Sequence, residues 1–162
     1  MPDSALLDTG FFIRLLDSKQ KLHENTRGCF KYLLDHKIYP VISTIAVAEY
    51  CVRGDMSDLP LKNLQILTFN IEHAKRAGQI ARTALPARKS SLKDVQRVVI
   101  PNDSKLFAQA DVEKQIKYYI TSDTDSKRIY DVLNAERKLS FQFVDLHIPF
   151  KESFGLLDLP DA

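Results

Sequence analysis

Strands alternating with helices predict an α/β fold, a parallel sheet of about five strands flanked by helices. Three observations predict it. Short apolar runs at residues 5–7, 39–42, 64–67, 118–121 and 141–144 alternate with longer amphipathic stretches. The 162 residues are 44% hydrophobic and 27% charged, which suits one globular domain with its own core. Acidic residues stand just beyond two of the apolar runs, where an open α/β sheet builds its ligand site.

Ala5, Leu6 and Leu7 make the first strand, which stops at Asp8. Phe11, Phe12, Leu15 and Leu16 then recur at helical spacing. A second helix is expected over residues 21–36, with Cys29, Phe30, Leu33 and Leu34 on its apolar side. Tyr39, Pro40, Val41 and Ile42 read as a strand, and Ser43 or Thr44 as the N-cap of a helix over 45–52 that Gly54 ends. A strand at 64–67 precedes a helix over 72–85 closed by Pro86. Residues 87–99 are basic and are expected as a short helix inside a long loop. Asn102 is expected to cap a helix reaching Lys117, with Pro101 just ahead of it. A strand at 118–121, a helix over 125–137 and a last strand at 141–144 complete a domain over residues 1–150. Residues 151–162 read as a loose tail.

Composition excludes several classes. No apolar run approaches the ~18 residues of a membrane span. The first ten residues carry an acid where a signal peptide needs basic residues. A reduced, cytoplasmic protein without a membrane partner is expected. Cys29 and Cys51 belong to no Cys-x-x-Cys pair and read as small buried hydrophobes rather than zinc ligands. His23, His36, His73 and His147 show no ligand spacing and read as surface or capping residues. The net charge is +2, and the last twelve residues carry −2, so the first 150 carry +4. Arg82, Arg88, Lys89, Lys93 and Arg97 cluster with only Asp94 opposing them. Such a patch suits a polyanion and is placed here against RNA phosphates; a solvated helix face is the plain alternative.

The acids carry the chemistry. Asp8 follows the first strand, and Asp123 follows Thr121 and Ser122 at the end of another, with Asp125 two places on. Asp103 opens the helix that leads into that strand, and Glu49 sits in an otherwise apolar helix. A helix-start charge, two turn residues and an exposed stripe are the separate structural alternatives. Gathered together, such carboxylates would repel and force protonation, and a hard divalent cation is the usual resolution. Oxygen ligands suit Mg²⁺ or Mn²⁺, which orient a phosphodiester and activate water.

Four stretches in order, residues 6–9, 42–49, 102–110 and 120–125, resemble the PIN-domain nucleases, in particular VapC-type toxins of bacterial toxin–antitoxin pairs. The resemblance spans about residues 4–145. It implies a PIN-like parallel sheet, an often dimeric protein, and Mg²⁺- or Mn²⁺-dependent cleavage of RNA. It places the metal ligands on Asp8, Glu49, Asp103 and Asp123, with Asp125 as an outer ligand or as a replacement for Asp123. Thr9 would orient the first acid, and Thr121 or Ser122 would line the metal side of the last acid's strand. It also implies a cognate antitoxin and a homodimer. Two departures stand out: Ser126 replaces the family's usual aromatic after the last acid pair, and residues 86–101 are less regular. The competing reading is a PIN-like module that binds RNA or protein without cutting. The Asp8-Thr9-Gly10 triplet also matches an aspartic protease, but it leads into a helix in a helix-rich chain. A dehalogenase-type phosphatase would want an acid where Gly10 stands.

Overall fold

Ser4–Leu7 (β1), Tyr39–Ser43 (β2), Gln65–Leu67 (β3), Ile116–Thr121 (β4) and Gln142–Asp145 (β5) form one sheet in the order β3-β2-β1-β4-β5. Every neighbouring pair is parallel. The fold comes from a computed structural model that describes residues 2–136 and 139–156. β1 is central and buried at all four positions, three of them apolar, as a strand covered on both faces must be. The chain winds outward from β1 to β2 and β3, then returns to lay β4 on the other side of β1. That reversal is a topological switch point, and it opens a crevice at the carboxyl ends of β1 and β4.

Side chains alternate between the faces of the sheet and feed two cores. Leu6, Val41 and Tyr119 pack on one side against α4 (Ile71–Ala84), α5 (Val99–Val112) and α6 (Thr124–Glu136), through residues such as Ile80, Phe107 and Ile129. Ala5, Leu7, Ile42 and Ile120 pack on the other side against α1 (Thr9–Leu16), α2 (His23–Asp35) and α3 (Thr44–Tyr50), through Phe11, Phe12, Leu33 and Ala46. Each fully buried large apolar side chain contributes roughly 1.5–3 kcal/mol.

The expected five parallel strands and their flanking helices are all present. The boundaries of α5 differ from the sequence reading. The helix starts at Val99, so Asn102 is not its cap and Pro101 lies inside the first turn, where its missing N–H costs no intrahelical bond. It ends at Val112 rather than Lys117, and β4 begins at Ile116. Glu113 leaves the helix in an extended conformation, and its carboxylate meets the buried His73 at 2.8 Å. His73 Nδ1 accepts the N–H of Asn70, closing a capping box at the start of α4, so Nε2 donates to Glu113. His73 is thus a capping residue, as expected. The basic segment holds a short 3₁₀ helix, Leu85–Lys89, and buries Leu92 and Val95 against the core.

Cys29 is buried, which pushes its thiol up to about 12, but Cys51 is exposed rather than buried. It stands just past the end of α3, outside the packed face. Of the segment read as a tail, residues 157–162 lie outside the described residues, as does Arg137 of the helix expected over 125–137. The described part turns into α7 (Phe150–Ser153), whose Phe150 ring packs against Gly28 so closely that a Cβ there would meet it at 2.5 Å. Asn25 holds this segment, donating to the carbonyls of Leu146 and Ile148 and accepting from the N–H of Phe150.

Candidate functional site

Two adjacent strands end in two acids that do the same local work. Asp8, one residue beyond β1, is the N-cap of α1, its Oδ1 accepting the N–H of Phe11 at 2.8 Å. Asp123, two residues beyond β4, accepts from the N–H groups of Asp125 at 2.9 Å and Ser126 at 3.3 Å at the start of α6. Each carboxylate therefore sits where the unpaired N–H groups and dipole of a helix start favour negative charge. Thr121 links them. Its hydroxyl donates to Asp8 Oδ2 and accepts from the N–H of Asp123 at 3.0 Å.

Glu49, in the last turn of α3, takes a 2.5 Å hydrogen bond on Oε2 from the hydroxyl of Thr9, the residue after Asp8. Asp103 lies in the second turn of α5, not at its start, and accepts from the Ser126 hydroxyl at 2.8 Å. Asp8, Glu49, Asp103 and Asp123 all line one cavity of about 480 Å³. Ser126, which stands where the resemblance implies an aromatic, thus supports one of the acids. Asp125 does not line the cavity; it faces Arg128 at 3.7 Å on the surface of α6. Ser122 lines the cavity with Thr9 and Gly10.

The electrostatics follow from this crowding. Burial raises the Asp8 carboxyl to about 6, against the lowering effect of the Thr121 and Phe11 hydrogen bonds, and Asp123 and Glu49 add repulsion. Burial raises Asp103 to about 7, with the Ser126 hydrogen bond opposing it and Asp123, Asp8 and Glu49 reinforcing it. The Tyr119 phenol, buried under the cavity, is held well above its ordinary value by burial and by Asp8, Asp103 and Asp123. Among the described residues no three His, Cys, Asp or Glu side chains converge tightly enough to cage an ion by themselves. The donor set is nonetheless oxygen-only and anionic, the chemistry a hard divalent cation takes.

None of Arg82, Arg88, Lys89, Lys93 and Arg97 lines the acid cavity. Arg82 borders a separate groove with Arg76, Thr83 and Leu133, and Arg88 Nε donates to the carbonyl of Val95, bracing its own loop. The cation that does line the cavity is Arg14 of α1, which the sequence reading missed. Gly10 and Arg14 are four residues apart, so a helix starting at Thr9 shows both on one side. Asn102, expected as a cap, is also a cavity wall.

No protein-family model matches the chain, and no curated protein matches it. Among solved structures it is similar to a chain in the crystal structure of VapBC2 from Rickettsia felis bound to a DNA fragment from their promoter. The two chains are 18% identical, the match covers 87% of this chain and 98% of that one, and the TM-score is 0.56. The five parallel strands, their order and the helices around them therefore make up a VapC-like PIN fold.

Proposed function

We propose that this chain is an endoribonuclease that hydrolyses RNA phosphodiester bonds with Mg²⁺ or Mn²⁺ at Asp8, Glu49, Asp103 and Asp123. The observation that carries the reading is that these four acids, drawn from four separate segments, line one cavity at the switch point of the sheet. Two of them are pushed up towards neutrality there, a cost that a bound dication would relieve. Mg²⁺ commonly takes one or two carboxylates and keeps several waters, so a wide four-acid cavity fits it without a closed cage. The bound ion would supply charge to polarise the phosphodiester and to make water a better nucleophile. Thr121 aims the Asp8 carboxylate, Ser126 that of Asp103 and Thr9 that of Glu49, so three of the four acids are oriented by a hydroxyl, and Asp123 by the backbone N–H groups of Asp125 and Ser126. Asp125 is left as an outer residue facing Arg128.

A toxin role with a cognate antitoxin as partner is the biological setting that the likeness to VapBC2 supports, and a homodimer is the working form proposed with it. One observation favours the second reading, a non-cutting PIN-like binding module: among the described residues no three acids converge as they stand. The test is cleavage of single-stranded RNA with Mn²⁺ or Mg²⁺, repeated with EDTA and with Asp8→Asn. EDTA-sensitive cleavage that Asp8→Asn abolishes supports the nuclease. RNA binding without cleavage at any tested metal concentration supports the module.

A further inference from the structure

Arg14 is unusual in its company. It lines a cavity with four carboxylates, yet among the described residues no carboxylate forms an ion pair with it. Neutral oxygens hold it instead. Nε donates to the Ser122 hydroxyl at 2.8 Å and one terminal nitrogen donates to the carbonyl of Lys21 at 3.3 Å. A guanidinium has five N–H donors, so three stay uncommitted. The backbone is braced as well, since the Arg14 carbonyl meets His23 Nδ1 at 2.7 Å. A cation fixed by neutral partners keeps its full charge, and it is ordered in advance of any ligand. Cations repel one another, so this corner of the cavity is unsuited to a metal and suited to an anion. Planar guanidinium donors match the paired oxygens of a phosphate.

We infer that Arg14 is the substrate-contacting residue that takes the non-bridging oxygens of the RNA phosphodiester, on the Ser122 side of the acid cavity. This rests on the nuclease reading. It assigns the anion-binding role to α1, in contrast to the basic segment 82–97, whose residues do not line the cavity. The plain alternative is structural: Arg14 ties α1 to the β4–α6 loop and to the turn before α2.

The test compares wild type, Arg14→Gln and Arg14→Lys. Binding of a fluorescent single-stranded RNA is followed by anisotropy with Ca²⁺ in place of Mg²⁺, across a salt series. Cleavage with Mn²⁺ and melting temperature are measured beside it. Arg14→Gln is expected to weaken RNA binding on the order of tenfold and to lower the salt slope by about 0.7, one phosphate contact on a single strand. Arg14→Lys should restore the slope but not the full affinity, because an ammonium lacks the fork. Affinity for Mn²⁺ alone should hold or rise in Arg14→Gln, since a repelling charge is removed. An unchanged salt slope in folded Arg14→Gln overturns the assignment. So does a slope that Arg14→Lys, folded as wild type, fails to restore, which is what a purely structural role gives. If wild type binds RNA and never cleaves it, the nuclease reading fails while Arg14 is still judged by the slope. If cleavage proceeds and the slope does not move, Arg14 fails and the nuclease reading stands.

Discussion

Thr121 donates its hydroxyl to Asp8 across 113 positions of sequence, and the same oxygen accepts the N–H of Asp123. One side chain thus aims the first acid of the cavity and fixes the backbone that carries the last. Thr121→Val keeps the shape and removes both hydrogen bonds. It is expected to cost roughly 1–3 kcal/mol of stability, because it leaves polar groups short of partners near the sheet end. RNA cleavage should fall more steeply than the melting temperature accounts for. Thr121→Ser, which keeps the hydroxyl, should recover most of the activity.

Asp8→Asn should abolish metal-dependent cleavage, a loss on the order of 10²-fold or more, while the fold survives. The change is nearly isosteric and the amide oxygen can still accept from Phe11 at the start of α1. In EDTA at neutral pH the variant should melt higher than wild type, because a carboxylate raised to about 6 by burial and like charges is removed. The gain should be roughly 2 kcal/mol, less than deep burial would give, since Asp8 borders an open cavity. Activity of the variant with Mn²⁺ equal to wild type would remove Asp8 from the ligand set.

The two raised carboxyls fix the sign of a pH effect in the metal-free protein. Asp8 at about 6 and Asp103 at about 7 hold protons that the unfolded chain releases near 3.8. The folded state therefore binds more protons between about pH 4 and 7, and stability from these groups is lost as pH rises through that window. The melting-temperature gap between Asp8→Asn and wild type in EDTA should be small at pH 4 and widen up to pH 7. Mn²⁺ at pH 7.5 should raise the wild-type melting temperature and leave that of Asp8→Asn nearly unchanged. A gap that is constant with pH would contradict this origin of the strain.

Gln109 of α5 is fully buried, and among the described residues neither its amide oxygen nor its amide nitrogen has a hydrogen-bond partner. Burying both groups unpaired is costly. Gln109→Met has similar volume and no such groups, so it should stabilise the protein by roughly 1–3 kcal/mol in denaturant unfolding. Stability equal to or below wild type would show that the amide finds partners in solution.

Asp8 and Asp123 were legible in the sequence because apolar runs end just before them, and a parallel sheet puts such residues at one edge. Glu49 was legible as a charge in an apolar helix. Asp103 was found for a partly wrong reason. With no capping side chain at Val98, nothing marked the true start of α5, and the acid was placed one turn too early in the helix. The choice between Asp123 and Asp125 depended on side-chain direction at a helix start, which spacing alone does not give. Arg14 was hidden for a related reason: an arginine among Phe11, Phe12, Leu15 and Leu16 reads as the solvent stripe of α1. The basic residues 82–97 were adjacent to Asp103 in sequence but not in the cavity wall, because Leu92 and Val95 draw that segment onto the core.

The placement of β4 beside β1 has a consequence for the birth of the protein. A chain emerging from the ribosome makes β1, β2 and β3 in order and can pair them at once, yet the far wall of the cavity arrives only with β4 and α6. Closing that distant strand pair is the step with the largest loop-closure entropy, and long-range parallel pairing is slow. The growing polypeptide thus carries Asp8 and Glu49 before Asp103, 54 residues beyond Glu49, and Asp123, 74 residues beyond it, are made. Any activity of the site is deferred until β4 and the start of α6 have been made, a delay written into the strand order.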